Sequence, residues 1–564
     1  MHCVSNPSRM TTIAHKTMTR TCRGDMSLLG ENRGTKYTRQ HFSAMQRAPT
    51  GLLVALAGAL ALPLGAAQSP PQAPAASAPL LLDYDDEIGA ARTTVAATCE
   101  SLASLPLPQA TITSAQSVLP GSFAPPPSGR AGRGPNPFTD LPAFCRVAAT
   151  LTPTSDSDIK IEVWLPTSAW NGNFQAVGNG GWAGTISYPA MADALKHGYA
   201  TTSTDTGHVG ATGSFALGHP EKFVDFAHRS EHEMTVKAKA IIAAFYGRGP
   251  KLSYWNGCST GGRQGLAEVQ RYPDDFDGVV AGAQANPRTH LNAWQLTIGK
   301  AMLSDPAAFI PPDKYPLIHK AVLDQCDALD GLKDGLISDP TRCHFDPSHL
   351  DFLTPRQIQT LRTVMSPVKT KDGKEVFPGY APGAELGWAG LVGGPEPTAT
   401  AIDQYKYIVF KDPNWDWRTF DLDRDVAIAD QVDGGTINAV NPHIEPFTSH
   451  GGKLLMYHGW ADPLVGPGTS ITYFNSLSKD VRNAVRLFMV PGMGHCGGGE
   501  GPNTFDMMAA MERWIEQGEP PERIVASHAT SGVVDRMRPL CPYPQVATYR
   551  GSGSIDEAAN FSCR

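Results

Sequence analysis

The order of elements along this chain predicts an α/β architecture: a mainly parallel central sheet, helices on both faces, and a large inserted lid domain. Three observations carry that prediction. Strand-like apolar runs alternate with helical periodicity between residues 159 and 283, the alternation stops over 288–450, and it resumes from 453. In sheets of this kind the reactive groups gather at the carboxyl ends of the strands.

The elements follow in order. An apolar run over 51–67, preceded by Arg47 and ending Gly65-Ala66-Ala67, has the basic, apolar and small-residue regions of an export signal, and Met45 is a natural start before it. Residues 1–67 therefore read as an extension and signal peptide that are removed, leaving no membrane partner. Residues 68–89 are rich in Pro, Ala and Ser and read as a disordered linker, as does much of 120–137. The first part of the α/β domain spans 90–287. Residues 159–165 alternate apolar and polar as a half-exposed strand does, and 174–177 begin another. A glycine-rich loop occupies 178–184, and a strand is expected over 197–204. Over 231–246 the apolar residues Met234, Ala238, Ile241, Ile242 and Phe245 recur at helical spacing. A strand at 252–255, a tight turn at 257–261, a helix over 260–271 and a strand at 278–283 complete this half.

Residues 288–450, rich in Pro, Asp, Trp and Tyr, read as the lid. The second part of the α/β domain, 451–564, supplies strands at 453–458 and 485–490. A helix over 507–516 then packs Met507, Met511, Trp514 and Ile515 on one side.

At 564 residues, 41% hydrophobic and 18% charged, the chain has the balance of a globular protein with an extensive interior. A net charge of -7 offers no basic stripe to follow a phosphate backbone, so nucleic acid is not an expected partner. Loss of the signal removes Cys3 and Cys22 and leaves eight cysteines, an even number that suits disulfides in an exported protein. Short separations pair Cys99 with Cys145, Cys326 with Cys343 and Cys541 with Cys563. Cys258 is then left for Cys496.

That last pair lies beside the chemistry. Gly257-Cys258-Ser259-Thr260-Gly261 is a G-x-S-x-G turn between a strand and a helix, the context of a nucleophile elbow. In α/β-hydrolase order the acid and the histidine follow on later strands. Asp462 sits after strand 453–458, and His495 after strand 485–490. Ser259 would be the nucleophile, His495 its base and Asp462 the group that orients the imidazole. A Cys258–Cys496 bridge would hold Ser and His together, since bridged Cα atoms are about 4.4–6.8 Å apart. His458 and His528 read as hydrogen-bonded structural histidines. The backbone N–H groups of Thr260 and Gly181 are the candidates for the oxyanion hole. Between Cys326 and Leu336, Asp327, Asp330 and Asp334 alternate with glycines, which suits either calcium or a solvated acidic turn, without EF-hand spacing.

The elbow through Gln264, the stretch 276–283, the segment 491–496 and the tail 541–545 resemble the tannase and feruloyl esterase family over roughly residues 90–564. The resemblance implies an α/β-hydrolase with a large lid, a Ser-Asp-His triad and a cystine beside it. It also implies a structural calcium in the lid on Asp327, Asp330 and Asp334 and the carbonyls of Leu332 and Leu336, with no organic cofactor. The segment 405–420, with Trp415, Trp417 and Arg418, resembles the family's lid. The expected function is that of a secreted or periplasmic serine esterase acting through an acyl-enzyme on small feruloyl, hydroxycinnamoyl or galloyl esters, free or attached to plant polysaccharide or tannin. One alternative is hydrolysis of mono(2-hydroxyethyl) terephthalate, although Thr260 stands where that branch has an acidic residue. Another, from a different class, is a non-catalytic plant-polymer-binding protein. Acyl transfer to an alcohol instead of water would use the same residues.

Overall fold

Residues 97–126 and 136–564 are described in a computed structural model of the chain. The expected signal over 1–67 and the linker over 68–89 lie outside the described residues. One sheet of nine strands takes every strand read from the sequence. In chain order these are β1 (Ala110–Val118), β2 (Phe144–Leu151), β3 (Ile159–Pro166), β4 (Phe174–Val177), β5 (Ala200–Thr204), β6 (Ser253–Cys258), β7 (Gly278–Gly282), β8 (Lys453–Gly459) and β9 (Val485–Val490). Their spatial order is β1-β2-β3-β5-β4-β6-β7-β8-β9. The first three and the β3–β5 pair are antiparallel, and from β5 across to β9 every neighbouring pair is parallel. Strands β4, β5 and β7 are buried at every position, which is why parallel strands read as unbroken apolar runs.

The helices that cover the sheet are α1 (Tyr188–Lys196), α2 (Ser230–Tyr246), α3 (Thr260–Arg271) and, later in the chain, α5 (Met507–Gln517), whereas α4 (Arg288–Leu303) packs in the core of the inserted region. Successive residues of β7 divide between the two faces. Val279 and Ala281 join the core that contains Met234, Ala238 and Ile241 of α2, while Val280 joins the one that contains Met507 and Met511 of α5. Helix α3 is buried from Thr260 to Val269. It is therefore a rigid support for the turn that precedes it.

Two readings need correction. The strand expected from His197 begins at Ala200, because the apolar stripe of Met191, Ala194 and Leu195 forms α1, His197 caps that helix, and Gly198 turns the chain at φ 83°. The flanks of the 120–137 stretch are not linker: the Phe123 and Phe138 rings are 5.3 Å apart, and Phe123 lies 4.6 Å from Trp164 in a buried aromatic cluster. Between them, residues 127–135 lie outside the described residues.

Between β7 and β8, residues 288–450 add no strand to the main sheet. They build their own core around Trp294, Tyr315, Phe377, Trp388 and Tyr405. Trp417 and Phe420 belong to that core, whereas Arg418 is exposed and lies 4.5 Å over the Trp417 ring. All four expected disulfides are present: Cys99–Cys145, Cys258–Cys496, Cys326–Cys343 and Cys541–Cys563. Among the described residues no helix is long and apolar enough to cross a membrane.

Candidate active site

Strand β6 ends at Cys258 and α3 starts at Thr260, so Ser259 alone makes the turn, with φ 64° and ψ -121°. Such a conformation costs about 1–3 kcal/mol for a residue with a side chain and persists only where its surroundings impose it. Those surroundings are tight. A Cβ on Gly257 would lie 2.5 Å from the Gly261 carbonyl oxygen, so strand and helix close on each other only with glycine there.

The three residues chosen from strand order converge. Ser259 Oγ is 2.9 Å from His495 Nε2, and His495 Nδ1 is 2.7 Å from Asp462 Oδ2. A carboxylate only accepts, so Nδ1 carries the imidazole proton and Nε2 is left to accept from the serine hydroxyl. Asp462 is fully buried, and its Oδ1 accepts the N–H groups of Leu464 and Val465. Burial pushes its pKa up, but the hydrogen bonds from His458 and His495 outweigh that and hold the carboxyl well below the usual range.

His458 is the residue whose role the sequence did not reveal. It is a buried, hydrogen-bonded histidine as expected, but its Nε2 is 3.1 Å from the same Asp462 oxygen that receives His495, and its Nδ1 is 2.7 Å from Ser470 Oγ. Its spacing of four residues from the acid was the available signal. His528 instead pairs with Asp535 on an exposed hairpin.

The Cys258–Cys496 bridge spans the residues adjoining Ser259 and His495, with Cα atoms 6.0 Å apart across 238 positions of sequence. Its removal as Cys258→Ser/Cys496→Ser should lower stability by about 2–5 kcal/mol. It should also lower kcat by roughly ten- to a hundredfold as Ser and His drift apart. Thermal melts with steady-state kinetics check both effects, and unchanged kcat would remove the bridge from the catalytic geometry.

The glycine-rich loop is latched onto α3. Asn179 O accepts from Gly261 N at 2.8 Å, Asn179 N donates to Gln264 Oε1 at 2.9 Å, and Thr260 Oγ1 donates to Gly181 O at 2.9 Å. Gly181 takes φ 57°. Neither the Thr260 N–H nor the Gly181 N–H has an acceptor among the described residues. Both are free to donate to a ligand.

A cavity of about 270 Å3 borders His495, with Leu323, Ile337 and Pro463 as apolar wall and His319 and Glu500 as polar groups. His319 Nδ1 is 2.8 Å from Glu385 and its Nε2 3.0 Å from Glu500. Both nitrogens face carboxylates, so both donate. Burial opposes a charge on the ring, but the two glutamates more than reverse this and push the pKa up to about 9. The stabilisation is complete below the ordinary value near 6.5 and is lost as pH rises through about 9. Melting curves between those limits should therefore fall more steeply for the wild type than for His319→Gln, and parallel curves would show that the ring contributes nothing.

The acidic loop has the oxygen donors calcium prefers, but they do not converge. Asp327 accepts from the N–H groups of Asp334 and Gly335, Asp330 from Leu332 N and Ser338 Oγ, and Asp334 from Leu336 N and Arg538. Among the described residues no three acidic, histidine or cysteine side chains gather closely enough to hold an ion. In this arrangement the three carboxylates are held by loop amides, Ser338 and Arg538.

The family described as tannase and feruloyl esterase matches residues 145–564. An uncharacterised esterase of Xanthomonas campestris is 37% identical over 84% of this chain and 93% of its own. The crystal structure of feruloyl esterase B from Aspergillus oryzae superimposes with a TM-score of 0.76 at 33% identity, covering 83% of this chain and 99% of that one. Tannin acyl hydrolase from Aspergillus niger, at 21% identity and a TM-score of 0.69 over 82% of this chain and 92% of its own, shares the fold. On the extent of these matches, the chain has the α/β-hydrolase fold and belongs to the tannase and feruloyl esterase family of carboxylic ester hydrolases.

Proposed function

We propose that the protein is an exported serine esterase that cleaves aromatic carboxylic esters, of the hydroxycinnamoyl or galloyl class, through an acyl-enzyme. The observation that carries this reading is the unbroken relay from Ser259 through His495 to Asp462, supported by the Thr260 and Gly181 N–H groups, which have no acceptor among the described residues. His495 Nε2 takes the Ser259 proton as Oγ bonds to the ester carbonyl carbon, and the carbonyl oxygen becomes an oxyanion facing the Thr260 and Gly181 N–H groups. Collapse breaks the bond to the alcohol oxygen, which receives the proton from His495. Water then repeats the sequence on the acyl-serine, releasing the acid and restoring the hydroxyl.

The aromatic preference rests on the relatives named above and on the cavity beside His495, whose apolar wall and few polar groups suit a phenolic ring. Export is supported by four disulfides, which persist in oxidising compartments. Methyl ferulate, methyl gallate and mono(2-hydroxyethyl) terephthalate assayed side by side test the acyl class. The first or second should dominate, and turnover confined to the third would overturn the assignment. A stoichiometric burst of nitrophenol from a nitrophenyl ester tests the acyl intermediate.

Calcium in the 327–336 loop is proposed on the resemblance and on the loop's donor set. Binding would require Asp327, Asp330 and Asp334 to turn from their loop amides toward one point. A chelator should then lower Tm by several degrees, with recovery on adding calcium. A Tm indifferent to both would end the proposal.

A further inference from the structure

We propose that Arg288 is a positioning residue of the oxyanion hole, holding the Thr260 and Gly181 segments in one register through a three-way hydrogen-bonded clasp. The proposal rests on the serine-esterase reading above. Arg288 opens α4, directly after the turn that follows β7, and it is 2% exposed. Its Nη1 donates to Thr260 Oγ1 at 3.1 Å and its Nη2 to Gly181 O at 3.4 Å, while Thr260 Oγ1 donates to the same Gly181 oxygen at 2.9 Å. Each corner of the triangle touches the other two. The Gly181 carbonyl, with two donors on it, can rotate only by breaking both bonds.

The loop needs such a hold. Gly180 and Gly181 have no neighbour within 4 Å of where a Cβ would stand, so packing at these two positions does little to fix the backbone. Asn179 anchors one side of them, the Gly180 carbonyl accepts from Ala183 N at 2.9 Å, and the clasp fixes the Gly181–Trp182 peptide on the other side. A donor aimed at an oxyanion contributes only when its direction is set beforehand. Arginine suits this task because its planar fork presents two N–H groups in fixed relation, which a lysine ammonium does not. The plane of the fork is supported in turn: the guanidinium lies 4.2 Å from the Trp182 ring centre and 5.7 Å from that of Phe226.

The electrostatic setting separates Arg288 from an ordinary core residue. Among the described residues it forms no ion pair, and its Nε has no partner. Burial, and secondarily the charge of Arg263, push its pKa down to about 9, with partial relief from Asp403. A buried cation without a carboxylate destabilises a fold. Violations of that kind concentrate at functional sites, and this one adjoins the place where negative charge develops during the reaction.

The test compares Arg288→Met, Arg288→Lys, Thr260→Val, Thr260→Ser and the double variant Arg288→Met/Thr260→Val. The readouts are kcat and KM for a nitrophenyl ester and the rate of inactivation by an aryl phosphonate, whose phosphoryl oxygen takes the oxyanion position. Arg288→Met and Thr260→Val should lower kcat and phosphonylation together by about ten- to a hundredfold, with KM within about threefold of wild type. Arg288→Lys should not restore the rate, Thr260→Ser should, and the double variant should be no slower than Arg288→Met. Wild-type kcat and phosphonylation in folded Arg288→Met and Thr260→Val would overturn the proposal, as would fully additive losses. Should Arg288→Met fail to fold, Thr260→Val against Thr260→Ser decides alone. Phosphonate labelling of Ser259, abolished in Ser259→Ala, keeps the serine reading standing even where the clasp fails. Absence of that labelling would bring down both.

Discussion

Ser259→Ala should lower kcat by about 10^6-fold while leaving the melting temperature within a few degrees of wild type. The size of the loss follows from the geometry. Oγ is the one atom positioned both 2.9 Å from an accepting imidazole nitrogen and at the amino end of α3, so no neighbouring group can replace it. The fold should persist because the change removes one oxygen from a half-buried residue and leaves Gly257, Gly261 and the disulfide in place. Alanine must still adopt φ near 64°, so a small fall in stability is expected. Active-site titration and steady-state kinetics on the folded variant measure the effect, and undiminished turnover would rule out the nucleophile assignment.

Asp462→Asn should cost about 10^4-fold in kcat. The carboxylate receives His495 and His458 on one oxygen and two backbone N–H groups on the other, four donors in all. An amide group can accept on only one side. It would either present its own N–H to an imidazole, forcing the wrong tautomer on His495, or confront the Leu464 and Val465 amides. This variant should also be less stable than Ser259→Ala, since buried donors lose their acceptor. The pH sign is fixed by the depressed pKa: the stabilisation from Asp462 is present above the ordinary carboxylate value near 3.8 and is lost only as pH falls through the lower folded value. Acid unfolding should thus begin at higher pH in Asp462→Asn. A wild-type kcat in that variant would reassign the acid.

The site was legible in the sequence to the degree that strand order dictates it. Ser259, Asp462 and His495 each follow a strand, and neighbouring parallel strands must deliver their carboxyl ends to one edge of the sheet. A helix from about Thr260 to Arg271 was readable after the Gly-Cys-Ser turn, and α3 occupies that span. What escaped were contacts between elements distant in sequence. Nothing along the chain says that His458 shares an oxygen with His495, or that Arg288 reaches the glycine-rich loop, because both depend on side-chain direction within the folded core. Helix α1 escaped for a different reason. Its nine residues are too few for a periodic signal to stand out beside the threonine-rich strand that follows.

Strands β7 and β8 are partners in the sheet, Gly278 beside Lys453, even though the whole of 288–450 intervenes between them. The excursion leaves and returns through adjacent doorways, so its length can change without moving the strands that align Ser259 with His495. Beyond the residues that reach back to the frame, among them Arg288 to Thr260 and Gly181, Gln295 to Leu464 and Thr400 to Trp182, its content can be exchanged as a cassette, reshaping what is recognised. The same arrangement sets a kinetic condition: closing so long a loop is entropically unfavourable, so pairing of β7 with β8 should follow folding of the excursion on its own core and complete the frame late.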